Sequence, residues 1–269
     1  MYGGSVMAVL RAMHGTTMRE RAWWKQLLIA ILLTWLFVRE RERSKRAVVA
    51  SALLVAALQL TLGRFNWFHR YEVYALIFTV LVASTALVYS TRISLRYLIL
   101  GLLIIAFPYE QALLNTPAGA SNVFQQQYQM HRFETEFYRK TVAVNDLGLV
   151  SYHRPSGVYV LDLWGLASPE AARQAVKDSP WLDGITREHG AGLAMIIPEW
   201  FKVPEDWHPL ATMCISEKNP TSIALRCMVF YSTEVGDQNE LTNELKAFAQ
   251  TLPAGMKMTL GRDSTDADE

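Results

Sequence analysis

The stretch Ala47–Gly63 reads AVVASALLVAALQLTLG, 17 residues without a charge. Ser51, Gln59 and Thr61 are its polar interruptions. A helix that crosses the hydrocarbon core of a bilayer needs about 20 mostly apolar residues, within a range of about 17–25. Three more charge-free windows surround it: Gln26–Val38, Val73–Tyr89 and Tyr97–Tyr109. The first reaches spanning length if Trp23, Trp24 and Lys25 join it and Lys25 snorkels to the interface. The last does so if its helix starts near Ile93 and Arg96 snorkels in the same way. Buried helices of a large soluble core would show amphipathic stripes instead, and Ala47–Gly63 has too few polar positions for one. The series predicts an α-helical transmembrane bundle of about four spans over residues 23–116.

Composition divides the chain at the same place. The 269 residues are 51% hydrophobic and 19% charged, which excludes a disordered, collagen-like or cysteine-scaffold protein. The formal net charge of +1 hides a split. Residues 1–116 hold 13 Lys and Arg against 5 Asp and Glu, and residues 117–269 hold 13 against 20. The first part is therefore net +8 and the second net −7. Neither carries a nucleic-acid signature, and no nucleic-acid partner is expected.

Orientation follows from the connections. Arg39–Arg46 reads RERERSKR, with five basic residues, and Arg92 and Arg96 lie in the connection on the same side. The positive-inside rule puts these in the cytoplasm and the C-terminal half outside. Arg11, Arg19, Arg21 and Lys25 would then lie outside, against the rule. Residues 1–22 lack the apolar core and cleavage site of a signal peptide. They read as an interhelical loop of a longer parent, of which this chain would be the C-terminal part.

The second half alternates apolar runs with helical patterns, which predicts a small extracytoplasmic α/β domain over 141–255. Pro117–Asn122 (PAGASN) has loop composition, and residues 117–140 read as a linker carrying an aromatic-studded helix. Strands are expected at Thr141–Val144, Gly157–Leu163 and Leu193–Ile197. A helix opens at Ser168-Pro169, with Ser as N-cap and Pro in the first turn. Another covers Trp181–His189, with Gly190 suited to its end. Leu210–Ser216 and Ile223–Ser232 form a hairpin around Asn219-Pro220. An amphipathic helix at Gln238–Leu252 presents Leu241, Leu245 and Phe248. Residues 256–269 read as a disordered acidic tail.

Phosphate loops, zinc spacings and nucleophile elbows are absent from the sequence, so no metal or cofactor is expected. Cys214 and Cys227 fall on the two arms of the hairpin. If Ser216 faces Ile223, Cys214 stands opposite Leu225 and diagonal to Cys227, and a two-residue change of register brings the cysteines together. An oxidising compartment permits a disulfide there, and two separate buried thiols are the alternative. The loop Arg64–Tyr74 (RFNWFHRYEVY) has two readings. It is an interfacial aromatic belt, or a lipid-phosphate site. In the second reading Arg64 and Arg70 fork onto phosphate oxygens, His69 adds a donor, and Tyr71 and Glu72 complete the site, with Glu72 orienting an Arg.

Three stretches resemble the C-terminal portion of bacterial multi-spanning glycosyltransferases of the GT-C type, of the mannosyl- and arabinosyltransferase-like kind. They are FHRYEVY, then QQQYQMHRFETEFY, then VAVNDLGLVSYHRPSGVYVLDLWGLASPE. In the last, Asp146, Gly148 and Tyr152, then Asp162, Gly165 and Leu166, fit a pattern V-x-D-x-G-x-x-x-Y followed by V-x-D-x-x-G-L. The residues themselves support a structural role, with Asp and Gly setting turns after two strands. The resemblance implies a polyprenyl-phosphate sugar as donor substrate, an extracytoplasmic acceptor and a bacterial inner-membrane location with a periplasmic C-terminal domain.

The resemblance also implies a catalytic Asp or Glu in the first outer loop, acting as general base. Glu20 and Glu72, the acids expected outside before Glu110, are each flanked by Arg. The chain is therefore expected to be inactive alone. Its partners would be membrane lipid, the lipid-linked sugar and a missing N-terminal membrane region or partner subunit. The alternative is a non-catalytic membrane-anchored binding or assembly module.

Overall fold

A computed structural model describes residues 23–63, 65, 71–91, 93–154, 156–217 and 226–261. The chain forms two units, Met1–Leu114 and Asn115–Glu269. The described part of the first unit is helical. It comprises α1 (Trp23–Arg39), α2 (Arg43–Leu62), α3 (Val73–Thr91) and the opening part of α4 (Leu95–Gln125).

Ile29, Leu33 and Leu36 recur at helical spacing along α1 and are buried. They meet Val49 and Ala52 of α2 and Leu76 and Ala83 of α3. Small residues at such contacts let helix axes approach closely. The outward faces are apolar too, and Leu54, Leu58, Ile77, Leu81, Leu103 and Ile104 are all exposed.

A transmembrane bundle of about four spans is not what these helices form. Two are long and apolar enough to cross a membrane, Arg43–Leu62 and the helix that begins at Leu95. Trp23–Arg39 has 17 residues, and the apolar part of α3 is the short segment Val73–Tyr89. Freedom from charge overstates a window's fitness to span. Part of the apolar content of α1 and α3 is used in the stripes that pack the helices on one another.

The second unit is built on a six-stranded mixed sheet of order β2-β1-β3-β5-β4-β6. Its strands are β1 (Val142–Val144), β2 (Val160–Asp162), β3 (Leu193–Ile196), β4 (His208–Cys214), β5 (Cys227–Ser232) and β6 (Lys257–Leu260). β2 and β3 flank β1 in parallel, with Val142 level with both Val160 and Leu193. The remaining pairings are antiparallel. β1, β2 and β3 are buried throughout, as parallel strands covered on both faces must be.

One face of the sheet carries Val142, Val144, Met195 and Phe230. It is covered by α5 (Gln127–Arg132), a π-helical segment Phe133–Tyr138, and α8 (Gln238–Ala249). Phe133 is wholly buried there, edge-on to Phe230 at 5.5 Å and to Phe248 at 5.2 Å. The other face carries Ala143, Leu161, Ala194 and Ile196. It is covered by Leu182 and Ile185 of α7 (Ser179–Glu188) and by Trp207. Between β2 and α7 lies the short α6 (Pro169–Arg173).

Three local readings differ from the sequence expectation. Pro117–Asn122 is helical, inside α4. Proline and glycine argue for a loop, but tertiary anchors override that weak preference. Asn122 donates to the Glu217 carbonyl, and Gln125 accepts from the Ser216 amide and hydroxyl. Lys257–Leu260 is not tail but the edge strand β6, laddered on β4, with Met258 against the core. The hairpin register sets Cys214 directly opposite Cys227, and the two sulfurs are bonded, with the Cα atoms 4.1 Å apart. Sliding the register by two residues keeps the same faces inward, so periodicity alone could not choose between the two pairings.

Truncating the aromatic centre of the second unit should be severe. Phe133→Ala is expected to lower its stability by about 3–5 kcal/mol, read by urea unfolding of the full chain. A loss below about 1 kcal/mol would contradict this packing.

Candidate functional site

The carboxyl ends of β1, β2 and β3 bring together most of the residues singled out by the third stretch. The crossover from β1 to β2 lies against one face, where Val150 joins the Phe133 cluster. The crossover from β2 to β3 lies against the other, where α7 packs. Strand order therefore reverses at β1, and open α/β sheets offer a crevice outside the strand ends at such a point.

Asp162 ends β2 and is buried. One carboxylate oxygen accepts from the Trp164 and Gly165 amides, both at 2.9 Å. The other accepts from Ala167 at 2.6 Å and Ser168 at 3.1 Å. The turn thus folds around a single side chain. Gly165 has φ +94, and a Cβ there would lie 2.6 Å from the Ala172 amide nitrogen. Only glycine fits that position. Ser168 then caps α6 by accepting from the Ala171 amide.

At the end of β1, Asn145 is buried and its side-chain oxygen accepts from the Ile197 amide at 3.1 Å, tying β1 to β3. Asp146 accepts from Gln127 at 3.3 Å. Gly148 leads into a 3-10 turn, Leu149–Ser151, whose Val150 anchors the loop in the core. Tyr152 is exposed, its ring against His153. Asp146 and Asp162 with Gly165 thus share this edge, whereas Tyr152 stands on the surface of the crossover.

Two features of the second unit were not singled out by sequence. Trp164, immediately after β2, and Trp200, in the 3-10 turn Pro198–Trp200 after β3, lie 5.3 Å apart between ring centroids. They remain 45% and 37% exposed. Lys177 lies within 6 Å of the Trp164 and Trp181 rings, while its ammonium donates to the Ala171 carbonyl at 3.0 Å. The signal available in the sequence was a tryptophan just beyond each of two strand-like runs.

The other feature is Glu134, in the π-helical segment. It is fully buried, and neither carboxylate oxygen has a hydrogen-bond partner among the described residues. Burial pushes its carboxyl up to about 7, with the Arg154 charge opposing. π-Helical turns are rare and frequently mark functional or strained places.

In the first unit, Glu72 is buried and Tyr71 half-buried. Glu72 lines a cavity of about 10 Å³ with Lys25, Gln26, Phe65, Leu76 and Tyr109. That volume is close to what a single water occupies. Lys25 lies 5.2 Å from the Tyr109 ring centroid, and Gln26 donates to Thr79 at 3.3 Å. Arg64, His69 and Arg70, the other members of the expected lipid-phosphate site, lie outside the described residues. Among the described residues, no cluster of His, Cys, Asp and Glu has the makings of a metal site.

A family model described as a domain of unknown function (DUF8728) matches residues 121–231. The match runs from the end of α4 to β5, so it contains the strand ends, both motif loops and the Trp pair. No curated protein and no solved structure matches the chain.

Two outcomes follow for the second unit. Asp162→Ala leaves four amides without their acceptor, and bonds to a charged group are worth about 1.5–3 kcal/mol each. The expected loss is at least about 3 kcal/mol in urea unfolding, with faster amide exchange over 164–168. Unchanged exchange there would contradict the clasp. Glu134 behaves in the opposite sense to a paired carboxylate. Its folded value lies above its unfolded one, so its contribution is full below pH ~4.5 and is lost as pH rises through ~7. The second unit should lose up to about 3 kcal/mol between pH 4.5 and 8. Glu134→Gln should abolish that slope and be the more stable form at pH 8. A slope that persists in the variant would assign it to another group.

Proposed function

We propose that the chain is a non-catalytic, membrane-anchored component of a glycosyltransferase system of the GT-C type. In this reading the system moves a sugar from a polyprenyl-phosphate carrier to an extracytoplasmic acceptor. The second unit stands outside the bacterial inner membrane, and the chain is inactive until a catalytic membrane region joins it.

The observation that carries the membrane part is exposure. The apolar window of α2 is 22% buried, and that of the helix from Leu95 is not buried at all. The core helix of a water-soluble protein hides such a surface. Contiguous apolar area of this extent calls for lipid or a partner. α-Helices also satisfy their own backbone groups, as a spanning segment must. The sugar-transfer part rests on the resemblance of the three stretches. The non-catalytic part rests on the same resemblance, whose first-outer-loop acid has no match here other than Glu20 and Glu72, each flanked by Arg. Asp162 has both oxygens engaged by amides, and Glu134 is sealed in the core beneath the sheet, so both serve the fold.

Fractionation of cells expressing the full chain tests the reading. The protein should stay in the membrane pellet after alkaline carbonate and high salt and leave it with detergent. A C-terminal alkaline phosphatase fusion should be active, which requires an extracytoplasmic end. The purified chain should make no product from polyprenyl-phosphate mannose or arabinose. Recovery in the carbonate supernatant would overturn the anchoring, an inactive phosphatase the orientation, and product formation the non-catalytic role.

A further inference from the structure

The connection between α1 and α2 takes only three residues, Glu40, Arg41 and Glu42, between Arg39 and Arg43. Arg39, Arg41, Arg43, Lys45 and Arg46 are all exposed. This tight turn therefore gathers five cations against two carboxylates. Both carboxylates are engaged within the turn. Glu42 accepts from the Lys45 ammonium and from the Ser44 hydroxyl, each at 2.6 Å. Glu40 accepts from the Glu42 amide at 2.9 Å. Among the described residues, the guanidinium groups of Arg39, Arg41, Arg43 and Arg46 take part in no hydrogen bond or ion pair. The first turn of α2 contains no acid to offset them.

Two of the four arginines are positioned by rings. Arg39 lies over the Trp35 ring and Arg46 over the Phe37 ring, each guanidinium carbon 4.4 Å from the ring centroid. Stacking occupies the flat face of a guanidinium and leaves its in-plane N–H donors open. Those donors match the oxygens of a phosphate. The cations are thus held near one another with their donors available.

Apolar surface adjoins the turn on both sides. Trp35 and Val38 near the end of α1, and Val48 in α2, are exposed. A soluble anion leaves them in water. A phospholipid covers them with its apolar part while its phosphate meets the arginines.

We infer that the α1–α2 connection binds the phosphate of an anionic phospholipid through Arg39, Arg41, Arg43 and Arg46. Clusters of about four to eight basic residues beside a membrane helix attract acidic headgroups. The site rests on the membrane-anchored reading above, in which α2 crosses the bilayer and this turn lies at a membrane surface. It does not depend on the sugar-transfer part.

Native mass spectrometry of the full chain in detergent, titrated with phosphatidylglycerol or with phosphatidylcholine of the same acyl chains, tests the site. Phosphatidylglycerol should bind about tenfold more tightly or better, and higher ammonium acetate should narrow the preference. Replacing Arg39, Arg41, Arg43 and Arg46 together by Gln should erase it. Arg41→Gln with Arg43→Gln, which touches neither stacked ring, should weaken it about threefold or more. Lys246→Gln with Lys257→Gln, the same change of charge on the second unit, should leave it intact. Equal binding of the two lipids by the wild type, or a full preference in the fourfold variant, would overturn the site. So would displacement of the lipid by inorganic phosphate at the same concentration, which would assign the turn to a soluble anion. Tighter binding of polyglutamate would overturn it in favour of an acidic protein. A chain that stays in the membrane pellet but shows no lipid preference removes this site alone. A chain that leaves the membrane in carbonate removes the anchoring.

Discussion

Four backbone amides converge on the carboxylate of Asp162, and much of the second unit's upper edge depends on that convergence. A buried carboxylate needs compensation for leaving water, and amide donors supply it without bringing a second charge into the core. The same bonds fix the path of residues 163–168. They force the tight approach to α6 that excludes a Cβ at Gly165, deliver Ser168 to its capping position and turn Trp164 outward. Asn145 does a related task one strand away, with its side chain in place of a missing ladder bond between β1 and β3. The carboxyl edge is thus a scaffold of side chain to backbone bonds on which exposed groups are mounted.

This explains how the motif pattern and the exposed surface of this edge can be different residues. Asp162 and Gly165 are turned inward to shape the turn, and Trp164 between them is turned to solvent. A pattern read from sequence selects the first kind, because fixed turn chemistry demands particular residue types at fixed spacings. Asp146 sits between the two cases. It belongs to the pattern, yet its carboxylate accepts from Gln127 of the preceding helix, so it joins the motif loop to the second of the three resembling stretches.

Legibility followed the same division. β1, β2 and β3 were readable as short apolar runs, and Ser168, Gly190 and the Leu241, Leu245, Phe248 stripe were readable from local rules. Each depends on chemistry within one turn or one strand. What was not legible depends on distant partners. PAGASN is helical because Glu217 and Ser216 hold it, β6 exists because β4 offers an edge, and Cys214 faces Cys227 because the whole ladder settles two residues from the alternative. The four apparent spans fail for a related reason. A count of uncharged residues cannot tell a helix whose apolar residues face its neighbours from one whose apolar residues face outward.

Glu134 shows where local and distant demands collide. Met130, Phe133 and Tyr138 all enter the core beneath the sheet at the i, i+3, i+8 spacing of one helical face, and Glu134, at i+4 from Met130, falls on that same face. The backbone is π-helical over Phe133–Tyr138, and Glu134 is buried there with Phe133 and Tyr138. Burial favours the neutral carboxyl, and the opposing Arg154 charge is the smaller effect. The acid's position is a consequence of packing aromatic residues around Phe133, and its raised pKa is the record of that compromise. Spacing alone puts Glu134 on the face of Met130 and Tyr138, but the shift itself is produced by the core that closes over it.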